Sequence, residues 1–294
     1  MAGYDDQILE LNPWWRSPAA LAKDPHLMRM GGAGFHWNPP ALQAIPLEPG
    51  GIHTLRGPRQ VGKTTTVKTL INHLVRMGTS RVFYYSFDLE RDARSLREVI
   101  VRAKQLHPDP DGPWYVFLDE VTSIPDWQLG LKYLWDNGQI RQDFVVCTGS
   151  SARKMGAEQL PGRRGNGRDF VQLPLSFRAF CIDALRMELP PSTVDVARLF
   201  GHEGRLLLQE INLQANGLYD ALAHFTEIGG FPAAVQDALT GVDPKPPVVG
   251  HALKPVRPET IRVLWDIIAG DIQEAGRDKT ATLKLLERVG FSLG

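Results

Sequence analysis

One eight-residue segment is the most informative in the chain: Gly57-Pro58-Arg59-Gln60-Val61-Gly62-Lys63-Thr64. It fits the pattern of a glycine, four residues and then Gly-Lys-Thr, which forms a phosphate-binding loop in many proteins. The glycines let the backbone turn successive N–H groups toward one anion, and the helix that follows points its positive end at the same place. An ordinary helix start after a glycine turn is the alternative. The strand-like residues before the segment and the helical pattern after it favour phosphate binding.

The loop is expected to bind ATP together with Mg²⁺. Lys63 would place its ammonium against the β and γ phosphates, and Thr64 would offer its hydroxyl to the metal. The residues expected to contact the nucleotide are Gly57, Pro58, Arg59, Gln60, Val61, Gly62, Lys63, Thr64 and Thr65.

The flanking sequence alternates between strand-like and helix-like patterns. Apolar and β-branched runs predict strands at 52–56, 81–88, 114–120, 143–149 and 170–175, and helical spacing predicts helices at 64–77, 95–106 and 126–135. Strands that are apolar along most of their length are typical of a parallel sheet covered on both faces. The sequence therefore predicts an α/β fold with a doubly wound parallel sheet of the P-loop type.

Two carboxylates end one of these strands, because Asp119 and Glu120 follow the apolar run 114–118. Ligands of such sheets bind at the carboxyl ends of the strands. We expect Asp119 to hold Mg²⁺ and Glu120 to orient or deprotonate the attacking water. A polar pair ending any strand is the alternative. The second carboxylate also favours hydrolysis of ATP over transfer of phosphate to a small molecule.

Small polar residues end the strand at 143–149 and continue into Ser150 and Ser151. Ser150 or Thr148 could form a hydrogen bond with the γ-phosphate or the water, and Ser150 is the candidate catalytic residue. Alternatively these hydroxyls cap a turn or a helix. Cys147, inside the same run, is expected to be a small core residue.

A basic, glycine-rich segment follows at 153–168. It could deliver an arginine to a γ-phosphate within the chain or in a neighbouring subunit, bind nucleic acid, or simply be solvated. Arg163 is the first choice because it follows Pro161-Gly162. The basic residues of the segment are Arg153, Lys154, Arg163, Arg164 and Arg168.

The two ends of the chain have a different character. Residues 1–48 are rich in proline, glycine and tryptophan and predict an irregular arm that packs on the body of the protein. After Pro174 the pattern predicts helices at 206–215, 218–239, 259–272 and 280–289, with a break at 229–232 and a proline-rich linker at 243–258.

Taken together, these residues resemble the AAA+ ATPases, and in particular a prokaryotic AAA family with a DUF4143-type C-terminal region. Three of the matching motifs are generic to P-loop ATPases, and the PLSF and GGFP segments are the specific ones. The matching segments are Asn12-Pro-Trp-Trp15, Leu55–Thr65, Phe117–Val121, Thr148–Ser151, Leu160–Arg163, Leu173–Phe180 and Gly229–Pro232.

The resemblance implies an AAA+ core at 49–176, a helical lid at 177–250 and the start of a helical, winged-helix-like module at 251–294, in a chain shorter than its relatives. It implies ATP and Mg²⁺ as cofactors. Lys63 and Thr64 match the Walker A motif, Asp119 and Glu120 the Walker B motif, and Ser150 the sensor-1 position. The candidates for a sensor-2 arginine are Arg178 and Arg205.

Composition sets the outer limits. The 294 residues hold 33 basic and 33 acidic side chains, and a net charge of zero excludes a uniformly basic polyanion binder. The longest apolar run, 114–118, is far too short to cross a membrane. The two cysteines exclude a disulfide framework, and the acidic N-terminus is unlike a signal peptide.

The sequence therefore predicts a cytoplasmic, Mg²⁺-dependent ATPase that couples its nucleotide state to movement of a lid or a partner. A nucleotide-gated switch or scaffold with negligible turnover, a DNA-associated ATPase motor and a small-molecule kinase stay open as alternatives. ATP is the expected small-molecule partner. A homo-oligomer with Arg163 supplied in trans, or an unidentified protein or DNA partner, is also compatible with the sequence.

Overall fold

A computed structural model describes residues 4–32, 35–90, 92–107, 109, 111–150, 165–189, 201–202, 204–206, 209, 217–241, 253–274, 278, 280–281 and 284. The chain divides into two compact units. The first comprises Met1–Ala33 and Asn38–Leu173, and the second comprises Gly34–Trp37 and Pro174–Gly294.

The first unit is built on a five-stranded sheet in which every neighbouring pair is parallel. The strands lie in the order β2-β3-β4-β1-β5. Their bounds are β1 Gly51–Arg56, β2 Val82–Ser86, β3 Tyr115–Asp119, β4 Phe144–Gly149 and β5 Asp169–Val171. The helices between them are α4 Lys63–Arg76, α5 Ala93–Leu106 and α6 Trp127–Asp136. The predicted parallel α/β fold is confirmed.

Both faces of the sheet are covered. One apolar cluster joins the sheet to α5 and α6, and a second joins it to α4 and residues near the N-terminus. Consecutive residues of β3 alternate between them: Val116 and Leu118 belong to the first cluster and Phe117 to the second. This period of two is why a strand that is apolar throughout is buried on both sides.

The register of the sheet brings the carboxyl ends of three strands to the same level. β4 lies between β1 and β3, with Leu55 paired to Thr148 and Leu118 paired to Cys147. The carboxyl ends of these three strands are therefore nearly level. The polar residues that follow each strand meet at one edge of the sheet.

Strand β5 is shorter than predicted. It ends at Val171, whereas the apolar pattern predicts a strand over 170–175. Gln172 still donates its backbone N–H to Arg56 O at 2.8 Å, but Pro174 has no N–H with which to extend the ladder.

The N-terminal residues are not irregular, so that part of the sequence prediction is wrong. They form three short α-helices and two 3-10 helices, and a proline begins four of these five elements. Proline reads as a breaker in a sequence, yet it is favourable in the first turn of a helix. The helices are α1 Asp5–Leu11, α2 Pro25–Gly31 and α3 Pro40–Ala44, and the 3-10 helices are Pro13–Trp15 and Pro18–Lys23.

We call residues 4–32 the N-terminal arm. The arm covers the free edge of β2, in keeping with the expectation that it packs on the body. The Asn12 side chain accepts from Tyr84 N at 2.7 Å and donates to Tyr84 O at 2.9 Å. The indoles of Trp14 and Trp15 both donate to Val82 O, at 2.9 and 2.7 Å. These bonds satisfy edge groups that would otherwise be open to pairing with another strand.

The second unit is helical where the structure describes it. Its helices are Phe177–Ala179, which continues as a π-helix over Phe180–Ala184, then Leu218–Ile228, Pro232–Leu239 and Pro258–Glu274. The break predicted at 229–232 is present. The predicted helix 206–215, most of the linker 243–258 and most of the helix 280–289 lie outside the described residues. Among the helices that the structure describes, none has the length and apolarity to span a membrane.

Candidate nucleotide-binding site

The loop between β1 and α4 has the shape that its glycines predict. Gly62 has a φ of +88° and is the residue before the first residue of α4. At Gly57, a Cβ atom would lie 2.0 Å from Gln172 O, so the loop can run this close to the end of β5 only without a side chain there. The loop backbone and the N-terminus of α4 together form a site suited to phosphate.

Gln172 fastens this loop from the side. Its Nε2 donates to Val61 O at 2.6 Å, and its Oε1 accepts from the Thr66 hydroxyl at 2.8 Å. Gln172, Val61 and Thr66 are all buried. One amide therefore ties the loop to the first turns of α4 and to the end of β5.

Lys63 is the first residue of α4, and its ammonium is buried against the loop. Nζ donates to Gly57 O at 3.0 Å and to Pro58 O at 2.9 Å, and it lies 4.0 Å from Glu120 Oε1. The charge is thus held between the loop carbonyls and the acidic end of β3, where it can reach a phosphate bound by the loop.

Asp119, at the end of β3, accepts hydrogen bonds from three hydroxyls. Thr64 and Tyr84 donate to Oδ2, at 2.8 and 3.0 Å, and Thr148 donates to Oδ1. The carboxylate is buried, and these bonds supply the compensation that a buried charge needs. Thr64, from α4, and Thr148, from β4, thereby connect three elements at this carboxylate.

Glu120 follows in a left-handed backbone conformation, with a φ of +51°. Its backbone N–H donates to the Thr148 hydroxyl at 3.0 Å, and its Oε2 accepts from Ser150 N at 3.1 Å. Burial raises the pKa of the Glu120 carboxyl, and the nearby charge of Lys63 opposes that rise. A carboxylate with a raised pKa is a better proton acceptor than an ordinary one.

The two candidate hydroxyl residues at the end of β4, Thr148 within the strand and Ser150 just after it, lie in different surroundings. Thr148 is fully buried, and its hydroxyl is occupied by Asp119 and Glu120, so it acts inside the site rather than toward a ligand. Ser150 is partly buried, and its backbone N–H holds Glu120. Cys147 is buried in the core of the sheet, as expected, and burial raises the pKa of its thiol.

The donor set suits Mg²⁺. Thr64 directs its proton to Asp119, which leaves lone pairs of its oxygen for a cation, and Asp119 and Glu120 are carboxylates. Mg²⁺ prefers oxygen ligands and is commonly bound by one or two carboxylates together with substrate phosphates. Within the described part of the chain, no group of three or more His, Cys, Asp or Glu side chains is placed to hold a metal by itself.

A buried lysine, Lys68, lies against Tyr84 and was not among the residues predicted from the sequence. The Lys68 ammonium, on α4, sits 3.5 Å from the ring centroid of Tyr84 and 5.3 Å from that of Trp14, and 3.4 Å from Asp24 Oδ2. Burial lowers the pKa of Lys68, while Asp24 opposes that shift.

The structure brings together the predicted residues of the loop, Asp119, Glu120 and Ser150. Arg163 lies outside the described residues, so its role stays a prediction. Arg178 and Arg205 are in the second unit, and their sensor roles also stay predictions. Tyr84, Gln172 and Lys68 were missed. Gln172 interrupts an apolar run, which is a signal for a buried polar residue. Lys68 stands among threonines and Tyr84 resembles its aromatic neighbours, so neither carries a distinguishing mark.

Comparison with known proteins gives one family match. Residues 50–181 match the family model described as AAA domain, a span that holds the whole phosphate loop and the ends of β3 and β4. No curated protein matches the chain.

Three solved structures resemble the chain. The Orc1 protein of Aeropyrum pernix in complex with DNA has 14% identity and a TM-score of 0.39, over 92% of this chain and 60% of that one. Cdc6p of Pyrobaculum aerophilum has 16% identity and a TM-score of 0.38, over 73% and 60%. PCH-2 of C. elegans has 17% identity and a TM-score of 0.37, over 90% and 68%.

The chain spans about 60% of the length of the first two of these structures. The family match and the observed geometry agree on the same stretch of chain. Over residues 50–181 the chain therefore matches the AAA domain model, and the five-stranded sheet in this stretch has the parallel α/β fold of a P-loop domain.

Proposed function

We propose that the chain binds ATP with Mg²⁺ and hydrolyses it, and that its nucleotide state moves the helical second unit or a partner. The observation that carries the proposal is the convergence of Lys63, Thr64, Asp119 and Glu120 beyond the carboxyl ends of β1 and β3, the two strands that flank β4. Phosphate, metal and water would each have a group of suitable chemistry within this one site.

Each group of residues in the site would have a separate role toward phosphate, metal or water. Backbone N–H groups of the loop and the Lys63 ammonium would bind the phosphates and stabilise the charge that develops on them. Thr64 and Asp119 would hold Mg²⁺, which when bound supplies neutralisation of phosphate charge. Glu120, oriented by Ser150 N, would accept a proton from the attacking water.

The test is an ATPase assay combined with equilibrium binding of a fluorescent ATP analogue. Lys63→Ala should lose tight nucleotide binding. Glu120→Gln should still bind but hydrolyse about 100-fold or more slowly, since a general base contributes that much. Lys132→Ala, which removes an exposed lysine on α6, is the control and should behave like the wild type. A wild-type chain that neither binds nor hydrolyses ATP would contradict the proposal.

A nucleotide-gated switch with negligible turnover is the second candidate. It is favoured by one observation: the Glu120 carboxylate is already engaged by Ser150 N and lies 4.0 Å from Lys63, which makes it less free to act as a base. The same measurements separate the two functions, because the switch predicts tight binding without hydrolysis in the wild type. A DNA or protein partner, and Arg163 acting in a neighbouring subunit, remain proposals from the sequence.

A further inference from the structure

We infer that Tyr84 is a positioning residue for the metal-binding carboxylate of Asp119, and that the N-terminal arm acts on that carboxylate through Lys68 and Tyr84. The inference rests on the proposed function, because it concerns how the same site holds the metal that accompanies ATP. It assigns a role in the nucleotide site to residues 12–24, which lie outside the span that matches the AAA domain.

The Tyr84 hydroxyl and the Thr64 hydroxyl share one oxygen of Asp119, while Thr148 occupies the other. With donors on both oxygens, the plane of the carboxylate is fixed. Without the Tyr84 hydroxyl, Oδ2 keeps only the bond from Thr64, whose oxygen is itself expected to bind the metal. The orientation of Asp119 would then depend on the ligand instead of being set beforehand.

Tyr84 is itself held on two sides by the arm. Asn12 bonds both its backbone N–H and its carbonyl. Lys68 lies on its ring face, and Asp24 and Trp14 of the arm hold Lys68 there. The path from arm to site therefore consists of direct contacts: Asp24 to Lys68, Lys68 to Tyr84, and Tyr84 to Asp119.

Stability alone does not account for this choice of residues. Burying an ammonium and a phenol removes both from water, and the raised pKa of Tyr84 and the lowered pKa of Lys68 reflect that burial. Apolar side chains of similar size commonly fill such a space at no loss of stability. The polar pair is explained if the hydroxyl is needed at Asp119 and the ammonium is needed to fix the ring.

The test compares two conservative variants on one strand. Tyr84→Phe removes only the hydroxyl that reaches Asp119. Tyr85→Phe is the matched control, since its hydroxyl bonds Gln7 and Glu90 on the other face of the sheet. Binding of a fluorescent ATP analogue is titrated with Mg²⁺ and, separately, measured in EDTA. Thermal unfolding of each variant is recorded alongside.

For Tyr84→Phe, the Mg²⁺ concentration at half-maximal enhancement of binding should rise about 10- to 150-fold, as expected for losing one hydrogen bond to a charged group. Binding in EDTA should stay within about twofold of the wild type. Tyr85→Phe should leave the Mg²⁺ midpoint unchanged even where it lowers the unfolding temperature. A wild-type midpoint in Tyr84→Phe, or an equal loss of binding in EDTA, overturns the inference.

Lys68→Met tests the contribution of the arm and serves if Tyr84→Phe folds poorly. It should raise the Mg²⁺ midpoint by less than Tyr84→Phe and should add nothing in the double variant, because Lys68 acts through the tyrosine. Full additivity overturns that part of the inference. If the wild type binds no nucleotide, the proposed function fails. If the wild type binds Mg·ATP and Tyr84→Phe has the same Mg²⁺ midpoint, only this inference is contradicted.

Discussion

Replacing Gln172 with leucine tests whether the end of β5 holds the phosphate loop. The change keeps the approximate size of the side chain but removes the bonds to Val61 O and to the Thr66 hydroxyl. Both partners are buried, so each is left without its bond at a cost of about 1–3 kcal/mol. The extra apolar burial of leucine offsets about 1–2 kcal/mol. We therefore expect the free energy of unfolding to fall by about 1–4 kcal/mol.

The loop should suffer more than the rest of the unit. Thr66→Val is the matched comparison, because it removes the bond to Gln172 Oε1 but keeps the one from Nε2 to Val61 O. Urea-induced unfolding and equilibrium binding of an ATP analogue are measured for both variants. Both should be destabilised, but only Gln172→Leu should weaken nucleotide binding by roughly tenfold or more.

Two outcomes would refute this reasoning. Gln172→Leu could lose stability and still bind nucleotide like the wild type, in which case the loop keeps its shape without the glutamine. Alternatively, Thr66→Val could weaken binding as much as Gln172→Leu, and the start of α4 rather than Val61 would then be the sensitive point.

Two further predictions concern Glu120 and Asn12. Because burial raises the pKa of Glu120, its contribution to stability is present at low pH and is lost as the pH rises through the folded-state pKa. Glu120→Gln should therefore exceed the wild type in unfolding temperature at pH 8, with the gap closing toward pH 4, and a gap that does not change with pH would be inconsistent with this cause. Asn12→Ala should lower the free energy of unfolding by about 1–3 kcal/mol for each orphaned group of Tyr84 and promote association through the β2 edge. Urea unfolding and light scattering measure both effects, and unchanged stability would show that water replaces the amide.

The features that could be predicted from the sequence are those whose structure is determined by residues close together in the chain. The apolar runs located all five strands, and the loop pattern placed Lys63 and Thr64 at the start of α4. The polar residues that end β3 and β4 were predicted to act on the same nucleotide, because ligands of such sheets bind at the carboxyl ends of the strands. Each of these motifs can be identified from neighbouring residues alone, without knowing which distant residues it contacts.

The features that could not be predicted depend mainly on contacts between residues that are far apart in the sequence. Gln172 is more than 100 residues from the Val61 carbonyl that it binds, and nothing near it in the sequence marks that contact. Thr148 was predicted to face a phosphate, as one of two options, but Asp119 and Glu120 occupy its hydroxyl. Residues 1–48 were predicted to be irregular, because a proline that begins a helix and a proline that ends one look alike in the sequence.

The position of β4 in the sheet also sets an order of assembly. During synthesis, β2 and β3 can pair as soon as residue 119 is available, whereas β1 finds its neighbours only in β4 and β5, which end at Gly149 and Val171. Contacts between residues this far apart form slowly and leave unpaired strands exposed in the meantime. The acidic strand can thus be in place before the loop that it serves. A nascent chain interrupted before residue 144 would contain the whole phosphate loop and β1, but neither of the strands with which β1 pairs.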